Sequence, residues 1–154
     1  MVINTRIFGE VTISDDKMLH FPKGIVGFPD LQDFALIFDV EAGDSNGIKW
    51  LQSVQEPNFA MPVIDPLTVC EEYNPEVDDE LLKTIGGLDN VLVLVTITVP
   101  ADIKKMSVNL KAPFIINVEE RKACQIILDQ DLPVKHYIYD ILQARKEQMT
   151  KAGE

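Results

Sequence analysis

The longest apolar run in the chain, Val91-Leu92-Val93-Leu94-Val95-Thr96-Ile97-Thr98-Val99, stops at Pro100. It is less than half the length a bilayer-spanning helix needs, so it predicts no membrane span. Residues Asn90 to Val99 are apolar on both faces over most of their length, which predicts a strand placed centrally in a sheet, covered above and below. The remaining segments must supply its neighbours and its two covers.

Most of them read as short strands. Ile7, Val11 and Ile13 alternate with polar residues around Gly9, predicting one strand with a kink or bulge at that glycine. Leu19 to Pro22 is short and extended, Phe34 to Phe38 is a buried strand bounded by Asp33 and Asp39, and Asp39 to Gly47 reads as a turn. Residues 49–54 and 59–64 form a hairpin across Gln55-Glu56-Pro57-Asn58, with Pro62 pushing the second strand toward an edge or a bulge. Phe114 to Val118 and Ala123 to Leu128 form a second hairpin across Glu119-Glu120-Arg121-Lys122.

Two helices complete the pattern. Val77 to Gly86 begins with acids, carries Val77, Leu81, Leu82 and Ile85 on one face and ends in glycine; Tyr137 to Met149 is amphipathic with bases late. With no βαβ alternation, the expectation is an all-β protein: one small antiparallel β-barrel-like domain with one or two short helices. A chain of 154 residues supports one such core, over about residues 3–130, followed by a helical tail over about 137–152.

Charge narrows the function. The net charge is −11, and between Gly24 and Leu82 thirteen acids face a single base, Lys49. Such a field repels phosphate and attracts basic proteins, although a solvated acidic surface alone accounts for it equally well. The N-terminal residues Met1 to Arg6 lack the basic region and apolar block of a secretory signal, so a cytosolic location is expected. Cys70 and Cys124 have no Cys or His at metal-ligand spacing and read as reduced core or boundary residues.

A catalyst is hard to find. His20 and His136 stand apart without ligand companions, no GxSxG, P-loop or GxGxxG occurs, and acid pairs such as Asp78-Asp79 fall on different helix faces. No cofactor is expected. Gly24-Ile25-Val26-Gly27 formally matches the GXXG clamp of a KH domain, but Lys23 is its only basic neighbour and Pro22 and Pro29 bracket it. A turn with unusual backbone angles at the glycines is the better reading. Trp50 and Phe59 fit either a core or an interface, and Lys111-Ala112-Pro113 fits either a turn shown to a partner or a stop between strands.

Two segments have no catalytic chemistry yet are distinctive: His20-Phe21-Pro22-Lys23-Gly24-Ile25-Val26-Gly27-Phe28 and Asn109-Leu110-Lys111-Ala112-Pro113-Phe114-Ile115-Ile116-Asn117. Together with Leu51-Gln52-Ser53-Val54 before Pro57, Asp65-Pro66, Val95 to Val99 and Gln125-Ile126-Ile127-Leu128, in that order, the chain resembles the flagellar assembly factor FliW family from Ile7 to Leu128. The resemblance implies a cytosolic β-barrel-like protein, not an enzyme. It also implies two protein partners: the translational regulator CsrA, whose repression of flagellin mRNA such a protein relieves, and flagellin, which sequesters it. Neither direct nucleic-acid binding nor a membrane is implied. The alternatives are an RNA-binding module using the Gly24-Ile25-Val26-Gly27 loop and a flagellin chaperone without a translational role. Candidate partner-binding residues are Leu51, Gln52, Val54, Lys111, Pro113 and Ile115 beside the motifs, with Glu71, Glu72, Asp78, Asp79 and Glu80 as an acidic flank.

Overall fold

The computed structural model describes residues 2–6, 9–38, 48–77, 80, 83, 85–86 and 91–144. In chain order its strands are β1 (Val2–Thr5), β2 (Gly9–Thr12), β3 (Met18–His20), β4 (Asp33–Phe38), β5 (Lys49–Ser53), β6 (Ala60–Ile64), β7 (Val91–Thr98), β8 (Ser107–Val108), β9 (Phe114–Asn117), β10 (Lys122–Gln125) and β11 (His136–Tyr137). The order β7-β6-β5-β4-β3-β10-β9 returns to β7, because β9 also pairs with β7, and so closes a seven-stranded barrel. Closure removes the exposed strand edges that an open sheet of this size would leave. Among the described residues only the β3–β10 pair is parallel, and its register is a single pair, Lys122 opposite His20.

The pattern of β7 explains the architecture. Leu92 and Leu94 point into the barrel, which is filled by Phe21, Phe34, Leu36, Leu51, Val63, Phe114 and Ile116. Phe21 meets Phe34 and Phe114 edge to face, with ring centroids 5.2 and 5.8 Å apart. Val93, Val95 and Ile97 point the other way, into a second cluster that Val69, Tyr73, Met106, Val108, Leu110, Ile126, Leu128 and Ile138 build on the outside of the barrel. A strand between two cores is apolar on both faces for that reason. A third, smaller cluster packs Ile3 and Ile13 of the N-terminal region over Ala35 of β4.

Three expectations need correction. The N-terminal region is not one kinked strand: β1 and β2 pair antiparallel from Val2 opposite Thr12 to Thr5 opposite Gly9, and Gly9 opens the returning strand with φ +68°. Strand β6 is not at an edge, since β5 and β7 flank it; yet the β6–β7 ladder includes Val63 and Ile64 and leaves out Pro62, which has no N–H to give. Tyr137 belongs to β11, opposite Ser107, and the helix begins two residues later, covering 139–144. The rest of that helix, the turn at 39–47 and half of the helix expected over 77–86 lie outside the described residues; Glu80 and Lys83 are helical. No helix among the described residues is long and apolar enough to cross a membrane.

Candidate functional site: a cleft at one mouth of the barrel

The two distinctive segments meet. After β3 ends at His20, Phe21 turns into the barrel, and its N–H donates to the Gln32 carbonyl at 2.7 Å. The chain then reverses in a tight turn in which Phe28 N donates to Ile25 O at 2.9 Å. Gly24 (φ +69°) just before it and Gly27 (φ +86°) as its third residue supply left-handed backbone. At Gly24 any side chain is also blocked, because a Cβ would lie 2.5 Å from the Pro29 carbonyl oxygen. The turn buries Ile25 but leaves Val26 50% and Phe28 48% exposed, and Phe28 stacks edge to face on Phe59 at 4.8 Å.

The second segment is built by one asparagine. Asn109 Oδ1 accepts from Lys111 N at 3.0 Å, a local turn that sends Leu110 into the outer core and Lys111 toward the cleft. Residues 126–128 run alongside: Ile126 N donates to Pro113 O and Leu128 N to Lys111 O, at 3.1 and 2.8 Å. Ile126 and Leu128 are therefore buried, and Ile127 between them stands 60% exposed. Gln125 joins the two segments, its Oε1 accepting from Val26 N at 2.8 Å and its Nε2 donating to Ala112 O at 3.2 Å. The amide bridges the barrel just where the short β3–β10 ladder has run out.

Between them lies a cleft of about 390 Å³. Ile25, Phe59, Met61 and Thr96 line it on the barrel side, and Val26, Phe28, Ile127 and Val134 stand on its rim. Among the described residues, Lys111 is the one charged residue in the lining. The acidic region is fastened next to it. Tyr73 donates its hydroxyl to Leu110 O at 2.7 Å, and burial pushes that phenol up to about 12, so it stays a donor. Gln130 accepts from Glu76 N at 2.6 Å, donates to Asn74 O at 3.2 Å, and receives Lys111 Nζ on its own carbonyl at 3.0 Å.

The candidate residues named from sequence divide accordingly. Lys111 is half-buried in the cleft lining, and Glu71, Glu72 and Glu80 are exposed; Asp78 and Asp79 lie outside the described residues. Leu51 and Ile115 are 0% and 1% exposed, one inside the barrel and one in the outer core, and Pro113 is buried too. Gln52 is fully buried; its Nε2 donates to Ser53 O and Pro57 O, clasping the β5–β6 loop, while its Oε1 has no partner. Val54 is half-buried against the N-terminal hairpin. Leu51, Gln52, Pro113 and Ile115 are thus buried, because both faces of β5 and β9 are covered where they stand.

Sequence reasoning passed over Phe28, Gln125, Ile127 and Val134 as site residues, and named Val26 only within the loop of the RNA-binding alternative. A signal existed for Ile127: period-two alternation through Cys124, Ile126 and Leu128 puts it on the opposite face. The formal GXXG loop is a tight turn with its glycines spent on backbone geometry. Cys70 and Cys124 are both free thiols, and burial pushes Cys124 up to about 11, which keeps it protonated and unreactive near neutrality. Among the described residues no three His, Cys, Asp or Glu side chains gather as a metal site.

A family model described as FliW protein matches residues 2–138. The flagellar assembly factor FliW of Lachnoclostridium phytofermentans is 43% identical over 148 residues, covering 94% of this chain and 95% of the relative. That of Lachnospira eligens is 44% identical over 147 residues, covering 93% and 97%. A crystal structure of the flagellar assembly factor FliW superposes with a TM-score of 0.80 at 30% identity, covering 90% of this chain and 97% of that one.

Proposed function

The chain belongs to the FliW family, and on that premise we propose that it is a non-catalytic, protein-binding regulator of flagellar assembly, which docks the translational regulator CsrA and is itself captured by flagellin. One observation supports this above the others: both distinctive segments converge on a single apolar cleft, with an acidic segment tied to its border through Tyr73 and Gln130. A contiguous exposed apolar patch is the form of a protein-docking surface. The acidic segment adds a means of antagonism, since carboxylates held beside a docked RNA-binding protein oppose the approach of phosphate without occupying its RNA site. On this reading the protein acts in the cytosol, where messenger RNA and unexported flagellin are found together.

The test is to mix the purified chain with purified CsrA and with purified flagellin, and to measure complex formation and displacement of a flagellin leader RNA from CsrA. The expected result is a complex with each protein, RNA release in the presence of the chain, and reversal of that release by flagellin. A complex with flagellin alone would replace this reading with that of a chaperone without a translational role. Saturable binding of the RNA by the chain itself would overturn it.

A further inference from the structure

The chemistry of the barrel-mouth cleft specifies more than an apolar occupant. Of the ten large apolar side chains exposed among the described residues, four (Val26, Phe28, Ile127 and Val134) stand on this one rim. The lining contains one charge, the half-buried Lys111, whose Nζ donates to the Gln130 carbonyl and has no carboxylate within ion-pair distance among the described residues. Two further exposed bases adjoin lining residues in the chain: Lys23 precedes the Gly24–Phe28 turn, and Lys135 follows Val134. Exposed Asp30, Asp129 and Asp131 also lie within three residues of lining positions, so the charge that distinguishes the cleft itself is Lys111.

An occupant that covers the rim expels the water that now completes the solvation of Lys111. The ammonium, with three protons to share, would be left with one carbonyl, a costly state unless the occupant brings an anion. A base brought to the same place would face like charge in a partly desolvated cleft. Resting on the reading above that the chain is a docking protein, we infer that the cleft receives a protein segment presenting apolar side chains beside a carboxylate, with Lys111 as the counter-charge. The acids at 71–76 lie beyond Leu110 and Gln130 and act on whatever projects past the cleft.

Calorimetric titration with purified flagellin and with purified CsrA tests this, using Ile127→Asp, Lys111→Arg, Lys111→Met and Lys111→Glu. Val99→Asp, an exposed apolar site outside the cleft, is the control, and thermal melts verify that each variant folds. For the partner that uses the cleft, Ile127→Asp should weaken binding at least about tenfold, the loss typical of a truncated interface anchor. Lys111→Glu should weaken it more than Lys111→Met, whereas Lys111→Arg and Val99→Asp stay within about threefold of the parent. Binding by Lys111→Glu as tight as the parent's, or tighter, overturns the inference, as does indifference of both partners to Ile127→Asp. If the parent binds neither protein, the proposed function falls along with the inference; if the parent binds and the cleft variants bind equally, the inference alone falls.

Discussion

Gly24 and Gly27 look equivalent in sequence, yet they face different constraints. Both have positive φ, which costs a residue with a Cβ about 1–2 kcal/mol. Only Gly24 is also closed by sterics, with the Pro29 carbonyl 2.5 Å from where a Cβ would stand, whereas nothing lies within 4 Å of one at Gly27. Gly27→Ala should therefore lose about 1 kcal/mol, and Gly24→Ala at least about twice that, since backbone must move to admit the methyl group. Urea unfolding of the two variants measures the difference; equal losses would mean that the Pro29 backbone yields freely. The turn reading of these glycines was available from Pro and Gly placement. The clash was not, because it depends on how the chain folds back from Phe28 to Pro29.

At the scale of elements, strands whose two faces differ in polarity, or which are apolar throughout, were legible: β4, the β5–β6 and β9–β10 hairpins, and β7 as the central strand. What failed was pairing that depends on partners remote in sequence. Val2 and Ile3 form their own strand because Gly9 lets the chain return on itself, and Tyr137 is extended because Ser107 of β8 offers it a ladder. The site was hidden for the same reason. Its closure rests on Gln125, which spans 99 residues to Val26 and 13 to Ala112, and no local pattern marks an amide for that task. Gln125→Ala should cost about 1 kcal/mol in stability, the net worth of a typical hydrogen bond or somewhat more. It should also weaken partner binding, because the two cleft loops lose their common tie. Gln125→Glu keeps an acceptor for Val26 N but has no donor for Ala112 O, so amide exchange at Val26 should stay slower in it than in the alanine variant. Identical exchange in both would sever the link between this side chain and the seam.

For the whole molecule, the separation of an apolar cleft, whose lining carries the single charge of Lys111, from an acidic neighbouring segment assigns different tasks to different residues. Exposed charges act over about a Debye length, roughly 8 Å at physiological salt, and individually add little affinity, whereas desolvated apolar anchors set how long a complex lasts. Glu71, Glu72, Glu76 and Glu80 are all exposed, and residues 71–76 are anchored through the Tyr73 hydroxyl and the Glu76 backbone rather than through the carboxylates of Glu71, Glu72 and Glu76. On the proposed function, changing Glu71, Glu72 and Glu76 to Gln should accordingly leave the fold intact and change the affinity for CsrA by no more than about threefold, the effect expected of rim charges. If the acids oppose phosphate near a docked RNA-binding protein, the same variant should lose much more of its ability to displace RNA, and the loss should be greatest at low salt, where the parent's field reaches furthest. Titrating complex formation and RNA release on one preparation at two salt concentrations separates the cases. Parallel losses would place the acids inside the protein contact, and no loss in either would reduce them to a solvated surface, leaving the cleft to account for antagonism alone.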